Sequence, residues 1–168
     1  MAGSDPLTVV SNTSPLTSLA AIDQFDLLQR LFGNVHISQA TLAELEAGGR
    51  AWPGAAEVRA SSWIIQHTVE EKVLVEALRL DLDRGEAEAI ALAIELQADV
   101  VLLDERPGRL AAQHLGLKVM GVVGLLIRAK QVGLIVQLRP LLESLRHDAG
   151  FYIDRALFEY VLTVVDES

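Results

Sequence analysis

Short apolar runs alternate with longer helical patterns along the whole chain. The short runs are rich in β-branched residues and carry few polar side chains, which is typical of strands covered on both faces in a parallel sheet. Five runs predict strands: Leu7 to Ser11, Val35 to Ser38, Trp63 to Gln66, Val100 to Leu103 and Leu117 to Met120.

Between these runs the apolar residues recur at helical spacing. The predicted helices are Ser14–Leu31 (two helices, broken around Asp23), Gln39–Ala47, Glu70–Leu80, Gly85–Gln97, Pro107–Leu115, Val122–Ala129, Leu134–Leu145 and Asp154–Val164. Alternating strands and helices predict an α/β fold, a three-layer α/β/α sandwich around a mostly parallel sheet of about five strands.

The length of the chain predicts one domain. A sequence of 168 residues with 51% hydrophobic residues is long enough for one sizeable core. The first six residues are polar and are expected to form a disordered tail. The clearest loop signal is the Gly- and Pro-rich segment 48–54.

Composition also predicts the compartment. The longest uncharged apolar run, Val119 to Ile127, is far shorter than the about 20 residues that cross a bilayer, and no signal sequence is recognisable. The chain has no cysteine, which agrees with a reducing compartment and excludes thiolate metal sites. We expect a soluble, cytoplasmic protein without a membrane segment, in which any metal has oxygen or imidazole ligands.

The charge is strongly acidic and unevenly distributed. The net charge of −9 argues against a broad basic face for nucleic acid. Residues 70–105 hold 11 of the 23 acidic residues and 3 basic ones, whereas residues 106–168 hold 8 basic and 6 acidic residues. Arg106 and Arg109 directly follow the acid-rich part, so arginine side chains and a cation could face one phosphate. A solvated run of charges explains the same pattern.

Polar side chains follow two of the predicted strands. Asn12, Thr13 and Ser14 come after the first strand, and Asp104 and Glu105 come after the fourth. Ligands of open α/β sheets bind beyond the carboxyl ends of the strands. If the strand order reverses beside the first strand, both groups line one crevice.

Two further carboxylates open the predicted helix Gly85–Gln97. At about 100° per residue, Glu86 and Glu88 point about 160° apart, so an undistorted helix sends only one of them into a shared site. The helix is apolar on two sides and is predicted to be largely buried, where an unpaired carboxylate is costly. Negative charge in a first helical turn also has a structural explanation, since it complements the helix dipole.

The other candidate residues have structural explanations too. Thr41 and Glu44 match a capping box, Ser14 before Pro15 matches a helix start, and Asp104 could cap the helix that begins at Pro107. These explanations do not account for several acids at one end of the sheet.

Several kinds of site are excluded or disfavoured. The four histidines, His36, His67, His114 and His147, lack ligand spacing and are predicted to be structural or surface residues. The chain contains neither a phosphate-binding G-x-x-x-x-G-K-[ST] loop nor a G-x-G-x-x-G motif after a strand. A receiver domain would need an acidic pair after the first strand, where Ser11 and Asn12 stand.

Four segments together resemble the PIN-like domain superfamily. They are Val9-Val10-Ser11-Asn12-Thr13-Ser14-Pro15-Leu16, Ile37-Ser38-Gln39-Ala40-Thr41-Leu42-Ala43-Glu44-Leu45, Gly85-Glu86-Ala87-Glu88-Ala89-Ile90 and Leu102-Leu103-Asp104-Glu105-Arg106. The likeness is narrower to an uncharacterised prokaryotic branch related to toxin–antitoxin PIN ribonucleases. The later Gly121-Val122-Val123-Gly124-Leu125-Leu126 segment fits that branch as well.

The resemblance implies an α/β/α sandwich and a Mg²⁺- or Mn²⁺-dependent ribonuclease that hydrolyses phosphodiester bonds. The acidic positions of that family fall here on Asn12, on Glu44, on Glu88 or Glu86, and on Asp104 or Glu105. Hard cations take such oxygen ligands and stabilise charge on a phosphate. Thr13, Ser14, Arg106 and Arg109 are then candidates for contact with water, phosphate or substrate.

Asn12 departs from the aspartate that the family usually has, and an amide brings no charge to attract a cation. Three hypotheses follow: a weak or substrate-restricted ribonuclease, a catalytically impaired module that binds nucleic acid, and a protein-interaction subunit. RNA is the expected substrate, a homodimer the expected assembly and an antitoxin protein the expected partner if the chain is a toxin.

Overall fold

Five strands form the centre of the computed structural model, which describes residues 7–48 and 52–168. All five predicted strands are confirmed, with ends that differ by at most two residues. The strands are β1 (Val9–Ser11), β2 (Val35–Ser38), β3 (Ile64–His67), β4 (Val100–Leu102) and β5 (Val119–Met120). The predicted tail, residues 1–6, and residues 49–51 of the predicted loop lie outside the described residues.

The strands form one sheet in the order β3-β2-β1-β4-β5, and every adjacent pair is parallel. Strands β2 and β3 follow β1 on one side of the sheet, and β4 and β5 follow on the other side of β1. The strand order therefore reverses between β1 and β4, where Ser11 is paired with Leu102. A reversal of this kind leaves a crevice beyond the carboxyl ends of the two strands.

Helices cover both faces of the sheet, as the alternating pattern predicts. In the described part of the chain they are α1 (Thr13–Ala21), α2 (Leu27–Phe32), α3 (Gln39–Ala47), α4 (Ala55–Ala60), α5 (Lys72–Leu78), α6 (Arg84–Glu95), α7 (Arg106–His114), α8 (Val122–Gln131), α9 (Arg139–His147) and α10 (Arg155–Val164). The three-layer α/β/α prediction is confirmed.

One predicted helix begins later than expected, and one short helix was not predicted. The predicted helix Leu134–Leu145 begins only at Arg139, because Pro140 has no backbone N–H to continue a helix and instead fits the first turn of a new one. Helix α4 was not predicted. It is six residues long and directly follows the Gly- and Pro-rich loop, so its apolar pattern is too short to be recognised.

The two faces of the sheet pack into separate cores because side chains alternate along each strand. Val9 belongs to the core formed with α1, α2, α8, α9 and α10, whereas Val10 belongs to the core formed with α5, α6 and α7. In α6, the consecutive residues 89–93 are at most 1% exposed. This helix packs against β2, β1 and β4 on one side and against neighbouring helices on the other.

No helix in the described ranges is long and apolar enough to cross a membrane.

Candidate metal-binding site

The site begins where β1 and β4 end side by side. The backbone N–H of Asn12 donates to the carbonyl of Leu102 at 3.1 Å and extends the ladder by one residue beyond β1. Asn12 is the N-cap residue of α1, and its side chain is 5% exposed. Asp104 follows β4 by two residues, so both side chains stand at the reversal of strand order.

Asn12 and Asp104 each have a buried oxygen atom without a hydrogen-bond partner. In the described part of the chain, Asn12 Oδ1 and Asp104 Oδ2 are the side-chain nitrogen or oxygen atoms in this condition. Buried polar atoms are nearly always paired, because an unpaired one loses its hydration without compensation. Two such oxygen atoms at one end of the sheet indicate a place where a positively charged or hydrogen-bonding group would bind.

Asp104 is held in position by its other oxygen atom. Its Oδ1 accepts from the backbone N–H of Val122, the first residue of α8, at 2.8 Å. Burial raises the pKa of Asp104 to about 6, and the charge of Glu105 acts in the same direction, whereas Val122 N–H and Arg109 act against it. A bound cation would offset the burial of this carboxylate.

Glu86 is the second buried acid of the site. It lies in the first turn of α6 and is 4% exposed. Burial, a hydrogen bond with Glu105 and the charges of Asp83 and Glu105 together raise its pKa to about 7, against a hydrogen bond from the Asp83 backbone that lowers it. Glu86 and Glu105 are therefore close together, and each disfavours the charged form of the other.

Glu88 points elsewhere, as helical geometry predicts for a residue two positions from Glu86. Its Oε1 accepts from the backbone N–H of Ala40 at 3.2 Å, and its Oε2 lies 3.8 Å from Arg84 Nη1. The structure therefore places Glu86 beside Glu105 and places Glu88 at the start of α3. The sequence left open which glutamate faces the site, and this geometry favours Glu86.

Glu44 approaches the site from α3. Thr13 Oγ1 donates to Glu44 Oε2 at 2.6 Å, which joins the start of α1 to α3 across the crevice. A Cβ atom on residue 85 would stand 2.8 Å from Glu44 Cδ, so the carboxylate lies directly against the backbone of α6. Thr13 thus orients a carboxylate, whereas the sequence suggested that it contacts water or phosphate.

The remaining candidates lie around this centre. Ser14 is half-buried on α1, and its carbonyl accepts from Thr17 Oγ1 at 3.0 Å. Arg106 is exposed at the first position of α7. Arg109 lies near Asp104, and a Cβ atom on Gly121 would stand 2.7 Å from Arg109 Nη1 and 2.8 Å from Asp104 Oδ1. Of the two arginines, Arg109 is the one that these contacts bring to the acids.

The three capping predictions were wrong, and each error bears on the site. Ser38, not Thr41, caps α3 and accepts from the backbone N–H of Thr41 at 3.2 Å. Helix α1 begins at Thr13 rather than near Pro15. Asp104 binds the first turn of α8 instead of the helix containing Pro107. The capping role assigned to Glu44 is therefore absent, and its carboxylate bonds to Thr13.

Asp83 was missed by the sequence analysis. It is the N-cap residue of α6, and its Oδ1 accepts from the backbone N–H of Glu86 at 2.8 Å. Its spacing from Glu86 is that of a capping box, an aspartate followed three residues later by a glutamate, so the signal was present in the sequence. Asp83 both fixes the first turn of α6 and adds negative charge beside Glu86.

Two of the four histidines form a pair that the sequence did not predict. His36 Nδ1 and His67 Nε2 lie 2.7 Å apart on the neighbouring strands β2 and β3. Burial and the proximity of His67 lower the pKa of His36. The pair belongs to the packing of these strands, which agrees with the structural role predicted for histidine here.

The donors of the site fit a hard divalent cation in their chemistry. Asn12, Glu44, Glu86 and Asp104 offer oxygen atoms alone, which Mg²⁺ and Mn²⁺ prefer. Two of those oxygen atoms are buried without a partner. Within residues 7–48 and 52–168, no three acidic or imidazole side chains are grouped closely enough to hold an ion as they stand. The site therefore relies on the neutral Asn12 oxygen together with carboxylates that are spread along the crevice.

Comparison with known proteins identifies the family. A family model described as a PIN domain matches residues 8–167, which is nearly the whole chain. No curated protein matches the sequence. PIN domains have a nuclease-like fold and generally use divalent metal ions. The fold, the match over the chain and the oxygen donors at the reversal of strand order agree, and the chain belongs to the PIN domain family.

Proposed function

We propose that this protein is a divalent-metal-dependent ribonuclease that hydrolyses phosphodiester bonds at the crevice between β1 and β4. The observation that carries the proposal is the pair of buried, unpartnered oxygen atoms, Asn12 Oδ1 and Asp104 Oδ2, at the carboxyl ends of adjacent strands. Glu86 and Glu44 complete a set of oxygen donors around them. Glu105 lies at the rim beside Glu86.

Each residue has a distinct part in this proposal. Asp104 is oriented by Val122 N–H and offers its free oxygen to the ion. Glu44 is oriented by Thr13. In this proposal Arg109 binds the phosphate, with Arg106 further out, because a guanidinium group donates to two phosphate oxygens at once. Mg²⁺ or Mn²⁺, when bound, stabilises the charge that develops on the phosphate and lowers the pKa of the attacking water.

The test is metal-dependent cleavage of single-stranded RNA. We expect cleavage in Mn²⁺ that is lost with EDTA and falls at least about 100-fold in Asp104→Ala and in Glu86→Gln. Glu143→Gln is the matched control, since Glu143 is exposed on α9 and is not one of the proposed donors. Equal activity of Asp104→Ala and the native chain would show a contaminating nuclease.

A second candidate function is a nucleic-acid-binding module with impaired catalysis. The neutral side chain of Asn12 favours it, because the amide adds no charge to hold a cation in the crevice. Asn12→Asp distinguishes the two functions. If the native chain binds RNA without cleaving it and Asn12→Asp cleaves, the second function is correct.

We also propose that the protein acts in the cytoplasm as the toxin of a toxin–antitoxin pair and forms a homodimer. The absence of cysteine supports the compartment. Val73 on α5 and Leu80 in the turn after it, which are 84% and 85% exposed, support a protein contact. Arrest of growth on expression, relieved by the product of an adjacent gene, would support the toxin role, and light scattering would give the oligomeric state.

A further inference from the structure

A groove of about 550 Å³ extends from Asp104 and Arg109 across β5 to the segment before α10. Its polar end contains Asp104 of the candidate metal site together with Arg109. Its far end is apolar and aromatic and is lined by Phe151, Tyr152 and Leu157. The groove is therefore continuous with the place where the proposed function puts a phosphate.

Tyr152 is unusual in this groove because its ring is 85% exposed. The residue lies between α9 and α10 and has no regular secondary structure. Its neighbours Phe151 and Ile153 both face inward, and Phe151 packs against the larger core. The backbone around Tyr152 is thus held by the half-buried Phe151 on one side and the buried Ile153 on the other, while Tyr152 is exposed at the groove.

The charged end of the groove has a cation that could bind one phosphate. Arg109 is its cation and lies beside Asp104, so a phosphate would be bound at this end. A nucleotide that binds through its phosphate must place its base away from the charged end. The apolar side chains and the exposed ring offer a surface on which such a base stacks, since every base has an aromatic face.

We infer that the Phe151–Leu157 end of the groove binds an unpaired nucleobase, and that Tyr152 stacks on it while Arg109 binds the adjoining phosphate. This inference rests on the proposed function for the direction of the strand, and it specifies the substrate as single-stranded. A base in a duplex keeps its faces covered by its neighbours, so it cannot stack on Tyr152 without leaving the helix. Tyr152 is a binding residue in this scheme and takes no part in the chemistry.

The experiment measures binding apart from cleavage. Fluorescence anisotropy follows an end-labelled, single-stranded oligoribonucleotide on the full chain, with Ca²⁺ in place of Mn²⁺ so that the strand stays intact. We expect Tyr152→Ala and Tyr152→Leu to weaken binding about 5- to 100-fold, the range measured for one lost base stack. Tyr152→Phe keeps the ring and should bind within about twofold of the native chain.

Two matched controls separate stacking from general effects. Tyr160 is also exposed, at 66%, but does not line the groove, so Tyr160→Ala should bind as the native chain does. An oligomer with abasic units keeps the phosphates and removes the bases. It should bind the native chain and Tyr152→Ala equally.

The inference is overturned if Tyr152→Ala binds as tightly as the native chain, if a duplex binds better than the single strand, or if the native chain binds no oligomer. It is also overturned if Tyr152→Ala converts a dimer to a monomer in light scattering, because the groove is then a protein interface. The proposed function fails separately. If the native chain binds the oligomer more tightly than Tyr152→Ala does but cleaves no RNA in Mn²⁺, the nuclease proposal is wrong and the base-binding inference stands.

Discussion

Gly85 and Glu44 lie in contact at the crevice, with the backbone of α6 directly against the carboxylate from α3. A Cβ atom on residue 85 would stand 2.8 Å from Glu44 Cδ and 3.0 Å from Glu44 Oε2. The same carboxylate accepts from Thr13 at 2.6 Å. A side chain at position 85 would therefore act on the orientation of Glu44 before it acted on the fold.

Gly85→Ala should separate metal binding from stability. The substitution moves the flexible end of Glu44 and breaks its bond to Thr13, so Mn²⁺ affinity measured by calorimetry should fall about 10-fold. Gly85 has no positive φ and lies inside α6, where alanine favours the helix by up to about 1 kcal/mol. The melting temperature should thus change little, because this gain offsets the lost hydrogen bond.

Gly108→Ala is the control for that variant. Gly108 lies in α7, and a Cβ atom there would meet Glu86 Cδ at 3.6 Å, an ordinary contact distance. We expect the same gain in helix stability with no change in Mn²⁺ affinity. A fall in affinity for both variants would show that helix flexibility, not the position of Glu44, controls metal binding.

Asn12→Asp should strengthen cation binding. The new carboxylate would stand at the end of β1, beside the strand that leads to Asp104, and would add a charge that attracts the ion. Mn²⁺ affinity should rise about 10-fold or more, and the metal-free protein should lose about 1 kcal/mol of stability through repulsion between the two carboxylates. Asn12→Ser, which adds no charge, should not strengthen binding. Equal affinity of Asn12→Asp and the native chain would show that position 12 does not contact the ion.

The metal-free protein should lose stability as the pH rises from about 4 to about 7. Burial raises the pKa of Asp104 from 3.8 to about 6 and that of Glu86 from 4.5 to about 7. Over this range the folded state binds more protons than the unfolded state, so the free energy of unfolding falls with pH. For Asp104 the loss is on the order of 3 kcal/mol. Above the raised pKa values the free energy of unfolding should level off.

Urea denaturation at a series of pH values checks this pH dependence. Asp104→Asn removes the titrating group and should flatten the curve relative to the native chain. Glu105→Gln should reduce the pKa of Glu86, because it removes a neighbouring charge. Parallel curves for Asp104→Asn and the native chain would contradict the assignment. Saturating Mn²⁺ should restore stability at neutral pH, since the ion offsets the buried charge.

Glu167 should stabilise the C-terminal helices. Its carboxylate accepts from the backbone N–H groups of Leu138 at 2.6 Å and Arg139 at 3.1 Å, and it lies 3.3 Å from Lys130 Nζ. Glu167→Gln keeps the shape but removes the charge at the start of α9, so stability should fall by about 1 kcal/mol. Glu143→Gln serves as the control, because Glu143 lies on α9 but makes none of these contacts.

The contribution of Glu167 depends on pH in the opposite sense to that of Asp104. Burial would raise its pKa, but the hydrogen bonds from Leu138 and Arg139 and the charge of Lys130 lower it. Its stabilisation is therefore complete above the ordinary glutamate value and is lost as the pH falls through the lowered folded pKa. The stability difference between the native chain and Glu167→Gln should vanish in acid. A constant difference at all pH values would point to packing instead.

The sheet was predictable because each strand is short, apolar and bounded by a helical pattern. Val35–Ser38 and Gln39–Ala47 have their predicted ends, since a serine N-cap between a strand and a helix leaves little choice. The late start of α9 could have been predicted from Pro140, whereas α4 is too short for its pattern to stand out. The order of the strands, which brings β4 beside β1, depends on packing between distant segments and has no local signal.

The candidate site was less predictable than the fold. Helical geometry showed that Glu86 and Glu88 diverge, but not which of them faces β4, because both seams of α6 border apolar surfaces. Thr13 and Glu44 are 31 residues apart, and their hydrogen bond exists because α1 and α3 meet over the ends of the strands. The sequence could show that acids gather at one end of the sheet, while their pairing required the tertiary arrangement.

The burial of helix α6 limits which parts of the protein can change without loss of folding. The helix that presents Glu86 at its first turn is also the centre of the smaller core, with residues 89–93 at most 1% exposed. The buried acid cannot be shifted by a local rearrangement, because its helix moves only with the packing on both sides. Substitutions at the exposed Tyr152 should therefore leave folding unchanged, whereas a change in the position of Glu86 requires the smaller core to repack.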